Sequence, residues 1–315
     1  MFRYIQKRLL MMIPTLFGVS FIIFVILSFT PGDPGTMSLG QEAPPEVIRA
    51  YNEQLGFYDP LALKYVKYIS KAVHGDLGIS WRTNRPVINE IALKFPVTLR
   101  LASCSIFLSA ALGIILGIIS ATRPYSVLDV SCTTGAIIFA SMPRFWLGMI
   151  FMLVFALKLK WLPSNGIGAW RHYVLPTVVL SLPTAAQIMR LMRSTMLETM
   201  KKDYIRTAKA KGASKGAVTW KHGLKNALMP VITVIGMDFG YLLGGTVLVE
   251  TVFSMSGIGT LMLNSIRNQD VPQIQGTALL IATLVCLVML LVDILYAFLD
   301  PRLRTKYSVP QTGGH

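Results

Sequence analysis

Charge is scarce in this 315-residue sequence: Asp, Glu, Lys and Arg make up 14% of it, against about 25% in an ordinary soluble domain. With 53% hydrophobic residues and a mean hydropathy of +0.56, folding in water would leave large apolar areas exposed. Lipid is the better solvent for such a chain. Cysteine is scarce too. Cys104, Cys132 and Cys286 all fall in apolar runs and form no C-x-x-C pair, so they read as small buried residues and not as a disulfide or metal framework. The four histidines, His74, His172, His222 and His315, lie far apart and show no metal-ligand spacing. No G-x-x-x-x-G-K-[ST], H-E-x-x-H or G-x-S-x-G string occurs, and Gly257-Ile258-Gly259 does not complete a dinucleotide fingerprint. These absences give no catalytic site, no metal and no phosphate cradle for ATP.

Long apolar runs are what the sequence has. Six segments reach or approach the ~20 residues of a membrane span: Leu9–Phe29, Thr98–Ala121, Cys132–Leu157, Val174–Ile188, Met229–Val249 and Thr277–Leu299. The expected fold class is therefore an all-α polytopic membrane protein with six transmembrane helices. The first run follows Arg3, Lys7 and Arg8 as a signal peptide would, but it is too long for one and Pro31-Gly32-Asp33-Pro34 is no cleavage site, so it reads as a retained helix. The fourth is short and contains Pro176 and Pro183, which membrane helices tolerate where neighbours cover the freed carbonyls.

The net charge of +15 raises nucleic acid as a partner, but the basic residues cluster beside and between apolar runs. The N-terminus, the stretch from Arg190 to Lys225 and the tail with Arg302, Arg304 and Lys306 hold more than half of the 30 Lys and Arg. The segment from Thr30 to Val97 is balanced, with seven of each sign. The positive-inside rule places both termini and the 190–228 loop in the cytoplasm. The Thr30–Val97 segment then lies outside. Its aromatics, Tyr51, Phe57, Tyr58, Tyr65, Tyr68 and Trp81, make a small folded cap the expectation.

In the basic loop, Asp203 is a candidate N-cap and Gly212 a candidate left-handed stop for a short helix. Ser214 can cap a second helix running to Leu228. On the first helix Ile205, Ala208 and Gly212 share a narrow face that suits docking into a partner's groove; contact with lipid headgroups is the alternative. Within the spans, Gly236, Gly240 and Gly244 recur every fourth residue, a face for close helix packing against a neighbouring helix or a partner subunit, and Gly113 and Gly117 give a weaker version. Asp238, Asp293 and Arg144 fall inside apolar runs, where charge is costly. Asp238 and Arg144 are therefore candidates for lining a translocation pathway, with a structural ion pair as the alternative. Glu250, at the outer end of span five, is expected on the surface.

The string from Asp203-Tyr204-Ile205-Arg206-Thr207-Ala208-Lys209-Ala210-Lys211-Gly212 to Pro230 resembles the cytoplasmic loop of bacterial ABC-importer permeases of the dipeptide, oligopeptide, glutathione and nickel family. Pro31-Gly32-Asp33-Pro34, Gly75 to Ser80, Arg190 to Ser194, and Leu291 to Tyr296 with Asp300-Pro301-Arg302 are similar to that family as well. Met255-Ser256-Gly257-Ile258-Gly259 departs from the family's W-P-G-x-G string. The resemblance implies the type I permease fold. It divides the chain into residues 1–93 (first helix and outside cap), 94–301 (permease core with a coupling loop at 194–228) and 302–315 (cytoplasmic tail). It also implies that Asp203, Tyr204, Arg206, Thr207, Ala208, Lys211 and Gly212 form the coupling helix that seats in an ATPase. The implied partners are a second homologous permease, two ATP-binding subunits carrying ATP and Mg, an extracytoplasmic substrate-binding protein and the lipid of the bacterial inner membrane. Short peptides are the first substrate expectation. Nickel chelates or glutathione come second, because the stretch from Gly166 to Pro176, with Trp170 and His172, resembles both kinds of permease. A stand-alone channel or secondary transporter, or a membrane-embedded enzyme, are readings from other classes.

Overall fold

The computed structural model describes residues 2–40 and 42–299, so the motif Asp300-Pro301-Arg302 and the basic tail lie outside the described residues. The described chain is helical, apart from an isolated bridge between Ile79 and Pro86. In chain order the helices are α1 (Phe2–Ser28), α2 (Pro34–Leu39), α3 (Pro45–Gln54), α4 (Leu61–Val73), α5 (Val87–Thr122), α6 (Val127–Ser141), α7 (Arg144–Phe151), α8 (Arg171–Thr199), α9 (Asp203–Ala210), α10 (Lys215–Ala217), α11 (Leu224–Gly245), α12 (Val247–Val252), α13 (Ile258–Arg267) and α14 (Val271–Leu299). Wider π-helical turns continue α7 over Met152–Lys158 and join α10 to α11 over Val218–Gly223.

Among the described residues five helices are long and apolar enough to cross a membrane, and a sixth span results if α6 and α7 count as one. That third span is not the continuous helix the sequence predicts. It bends by 102° at Met142-Pro143, because Pro143 cannot donate into the helix behind it and pushes Met142 into extended backbone. Span four is longer than predicted. α8 carries Pro176 and Pro183 through an unbroken 29-residue helix. The helix opened by Ser214 does not end at Leu228 but runs on past Pro230 as α11.

The chain forms two compact units. One is built mainly from Leu99–Met255 and from Leu287 onward. Its hub is α8, 61% of whose most apolar window is buried, against 11% for α1 and α14. α8 packs on α6, α7 and α11, and the residues it buries are mostly apolar or small. Ile188, Met192 and Met196 of α8 meet Ile118 and Ala121 of α5 and Ala227 and Val231 of α11. Close approach of α5 rests on Gly113 and Gly117. A Cβ at Gly113 would fall 2.6 Å from Ile188 and 2.8 Å from the Ala185 carbonyl. A Cβ at Gly117 would fall 2.6 Å from Met192 and 2.8 Å from the Met189 carbonyl. Serines supply the polar contacts that hold two helices together where water is absent: Ser181 Oγ donates to the Ser105 carbonyl (3.0 Å), and Ser109 Oγ to that of Ser181 (3.1 Å).

The other unit comprises Gln6–Thr98 and Ser256–Cys286. Its cap helices α2 to α4 are held by specific polar contacts. Asp33 caps α2, accepting from the Thr36 amide (2.9 Å), the Thr36 hydroxyl (2.7 Å) and Asn52 Nδ2 (2.6 Å). Burial alone would raise its pKa, but these donors outweigh burial and hold the carboxyl below the usual range. Tyr65 of α4 stacks edge-on against Phe21 and Phe24 of α1 and lies 3.0 Å from Ser20 Oγ. Beside it, burial and the neighbouring Tyr65 push the Tyr68 phenol up to about 12. Asp270 accepts from Ser80 Oγ (2.5 Å) and the Trp81 amide (3.1 Å), closing the 75–86 loop onto the start of α14. The departure at Met255–Gly259 builds a specific turn. Ser254 takes a left-handed φ of 49°, and Gly257 opens α13, whose Ile258 amide donates to Thr98 Oγ1 at 2.8 Å.

Candidate functional sites: the α9 face and the cavity at the broken span

α9 is a two-turn helix, and its sequence explains both ends. Its N-cap is Lys202, not Asp203. Asp203 is the first helical residue, where an acid still complements the helix dipole. At the other end Gly212 adopts φ 83°. The Gly212 amide bonds back to Lys209 O and the Ala213 amide to Ala208 O, which is the Schellman arrangement. Any residue with a Cβ is strained there.

The face of α9 expected to dock turns inward at Ile205 and Ala208. Ile205 is fully buried against the chain itself, with α9 packed on the π-helical turns Val218–Gly223. Ala208 is half-buried. The face left open is the opposite one: Tyr204, Thr207 and Lys211, one turn apart from each other, with Asp203 and Arg206 beside them. The π-helical turns lead directly into α11, so α9 is mechanically tied to a membrane helix.

The charged groups predicted inside the membrane come together in part. Arg144 stands at the bend between α6 and α7. Its Nη2 lies 3.3 Å from Thr184 Oγ1 of α8, and its guanidinium sits 5.0 Å from the Tyr241 ring centre of α11. Asp238, one turn before Tyr241, is close enough to Arg144 to interact electrostatically. Asp238 Oδ2 and Arg144 Nη1 are both buried without a hydrogen-bond partner among the described residues. A cavity of about 880 Å³ opens here, and Met142, Arg144, Gln187, Arg190 and Tyr241 are among the residues that line it.

The glycine stripe divides. Gly236 lies directly on Val292 of α14, Gly240 is buried, and Gly244 is half-buried.

Two groups were not legible as a site in the sequence. Glu250 is fully buried, not a surface residue, because Thr246 one turn earlier donates its hydroxyl to Glu250 Oε1 at 2.9 Å. Arg193, expected among the loop cations, lies within α8 and forms a two-pronged ion pair with Asp129 of α6, Nε to Oδ1 at 2.6 Å and Nη2 to Oδ2 at 2.7 Å. Asp129 also accepts from Ser120 Oγ and from the Tyr125 amide (2.8 Å). The only sequence signal is a lone acid and a lone base at the ends of apolar runs 64 residues apart.

Residues 113–305 match the model of the binding-protein-dependent transport system inner membrane component. Residues 1–102 match the N-terminal model of the same membrane component. The chain belongs to this family of ABC-importer permeases. It is 42% identical over 306 residues to the glutathione transport system permease protein GsiC of Escherichia coli, covering 97% of this chain and 100% of that one. The GsiC of Shigella flexneri serotype 5b matches to the same extent. Among solved structures, the permease resembles the inward-facing MetNI methionine ABC transporter, with a TM-score of 0.58 and 20% identity over 68% of this chain and 97% of that one. An amino acid ABC transporter solved with histidines gives 0.54 and 9% identity over 67% of this chain and 94% of that one. Both support the type I fold, and the all-helical architecture agrees.

Proposed function

We propose that this permease imports short peptides, glutathione among them, across the bacterial cytoplasmic membrane by alternating access. The carrying observation is the similarity to glutathione permeases over 97% of the chain. The chain performs no bond chemistry. ATP and Mg bind to two partner ATPases, a second homologous permease completes the pathway, and an extracytoplasmic binding protein delivers substrate. Both termini and α9 lie in the cytoplasm, in keeping with the basic residues around them.

In this reading Asp203, Tyr204, Arg206, Thr207, Ala208, Lys211 and Gly212 form the coupling helix. Ile205 anchors it from within, and Tyr204, Thr207 and Lys211 present the face that enters the ATPase. Closure of the ATPases displaces α9. The π-helical turns pass that displacement into α11, and the packed hub around α8 moves between two arrangements whose balance the partners set. Gly236 lets α11 approach Val292 of α14 closely during that motion, and Gly240 and Gly244 extend the same stripe. The test is uptake in proteoliposomes holding the full complex. Glutathione, trialanine and a nickel–histidine chelate are offered in turn with the cognate binding protein. ATP-dependent accumulation of the peptides supports the reading; accumulation of nickel alone replaces it with metal import.

A further inference from the structure

We propose that the cavity at the broken third span binds a carboxylate group of the peptide in transit, with Arg190 and Arg144 as its cationic partners; the proposal rests on the peptide-import reading above. The cavity's charge is one-sided. Two arginines line it and no acid does. Asp238, near Arg144, offsets at most one of them. Arg190 has no hydrogen bond or ion pair among the described residues, and Arg144 Nη1 is buried without a partner. A buried guanidinium nitrogen without a partner is costly, and an anion reaching Arg144 removes that cost, while the exposed Arg190 at the cavity's rim adds a second positive charge to hold it.

The geometry suits a short peptide. Pro183, Gln187, Arg190 and Leu191 lie on one face of α8 at helical spacing, so Arg190 stands about 9 Å along the axis from Thr184, which holds Arg144. That separation equals about three residues of extended chain. A volume of about 880 Å³ falls in the range of small-molecule sites. Between the two cations Gln187 offers an amide to a peptide backbone, while Met142, Phe145 and Leu248 supply apolar walls. The positive end of α7 adds to the same field. α7 begins at Arg144, and no side chain caps it.

The test uses the complete complex in proteoliposomes and compares trialanine with trialanine amide, which lacks the terminal carboxylate. In Arg190→Gln the KM for trialanine should rise about tenfold, the loss of one charge-assisted hydrogen bond. The acid-to-amide preference should shrink by the same factor. The binding protein is the same in both preparations, so its own preference cancels. Arg190→Lys should recover most of the loss. As a second measurement, Gln187→Cys in a chain with Cys104, Cys132 and Cys286 changed to serine is labelled with a maleimide during turnover. Trialanine should slow the labelling; inorganic phosphate and phosphatidylglycerol in the vesicles should not. Three results overturn the proposal. Arg190→Gln could slow acid and amide equally. It could release the second permease on gel filtration, which would make Arg190 an interface residue. Anionic lipid alone could protect Gln187→Cys, which would make the cavity a headgroup site. Failure of the unaltered complex to import any peptide would remove the underlying reading as well, and it would be seen before any substitution is made.

Discussion

Breaking the ion pair between Asp129 and Arg193 tests the packing account most sharply. The Asp129 side chain is 3% exposed and that of Arg193 is 25% exposed. Two parallel bonds of 2.6 and 2.7 Å tie α6 to α8, the hub of its unit. Removing one partner of a buried pair costs about 3–5 kcal/mol, because the other charge stays desolvated. Partial exposure of Arg193 places Arg193→Met at the lower end, about 3 kcal/mol. The stranded group is then Asp129, which keeps Ser120, the Tyr125 amide and a long bond from the Thr133 hydroxyl (3.4 Å) but no cation. A penalty of that size lowers a melting temperature by roughly 5–10 °C in a protein of this length. The assay is thermal unfolding of the purified complex in nanodiscs, followed by the loss of monodisperse complex. Restoring neutrality with Asp129→Leu in the Arg193→Met background should recover part of the loss, since an apolar replacement of both partners is often tolerated. A single Arg193→Met variant that melts like the unaltered protein, with no coupling in the double variant, would refute the reasoning.

Other outcomes follow from the same structure. Ala208→Glu should leave assembly intact but uncouple ATP hydrolysis from uptake; wild-type uptake in that variant would remove α9 from the coupling role. Tyr204→Ala and Thr207→Glu, on the open face, should weaken ATPase binding in pull-downs without changing the melting temperature, whereas Ile205→Asp should lower it by burying an unpaired charge. Gly117→Val should destabilise the unit containing α5 and α8 by several kcal/mol, because its Cβ meets the Met189 carbonyl as well as a side chain, and backbone cannot move aside cheaply. Unchanged melting of Gly117→Val would count against that packing. Asp238→Asn should reduce uptake and peptide-stimulated ATP hydrolysis; unchanged values for both would count against Asp238 acting in the pathway.

The legible parts of the fold were those written in local sequence. Runs of apolar residues gave the spans, and Gly212 gave the stop of α9, because a left-handed residue at a helix end has few alternatives. The bend in the third span also had a local sign, Pro143-Arg144 inside an apolar run, yet length and hydropathy alone read through it. What stayed hidden depended on distant partners. The inward turn of Ile205 on α9 is one such case, because its partners lie across the loop, in the π-helical turns ahead of α11. Asp129 and Arg193 meet across 64 residues, and no periodicity announces that. Glu250 shows a third kind of case. A carboxylate at a span end reads as surface unless Thr246 one turn earlier is seen to satisfy it.

The central claim is that this permease works as the pathway subunit of an ATP-driven peptide importer. The most direct test purifies it with the products of its neighbouring genes, reconstitutes the assembly and measures ATP hydrolysis and peptide uptake together. The account predicts two ATPases and a second permease in the assembly, with hydrolysis and accumulation both rising when a peptide-loaded binding protein is added. A chain that purifies alone and moves solute into liposomes without ATP would contradict it.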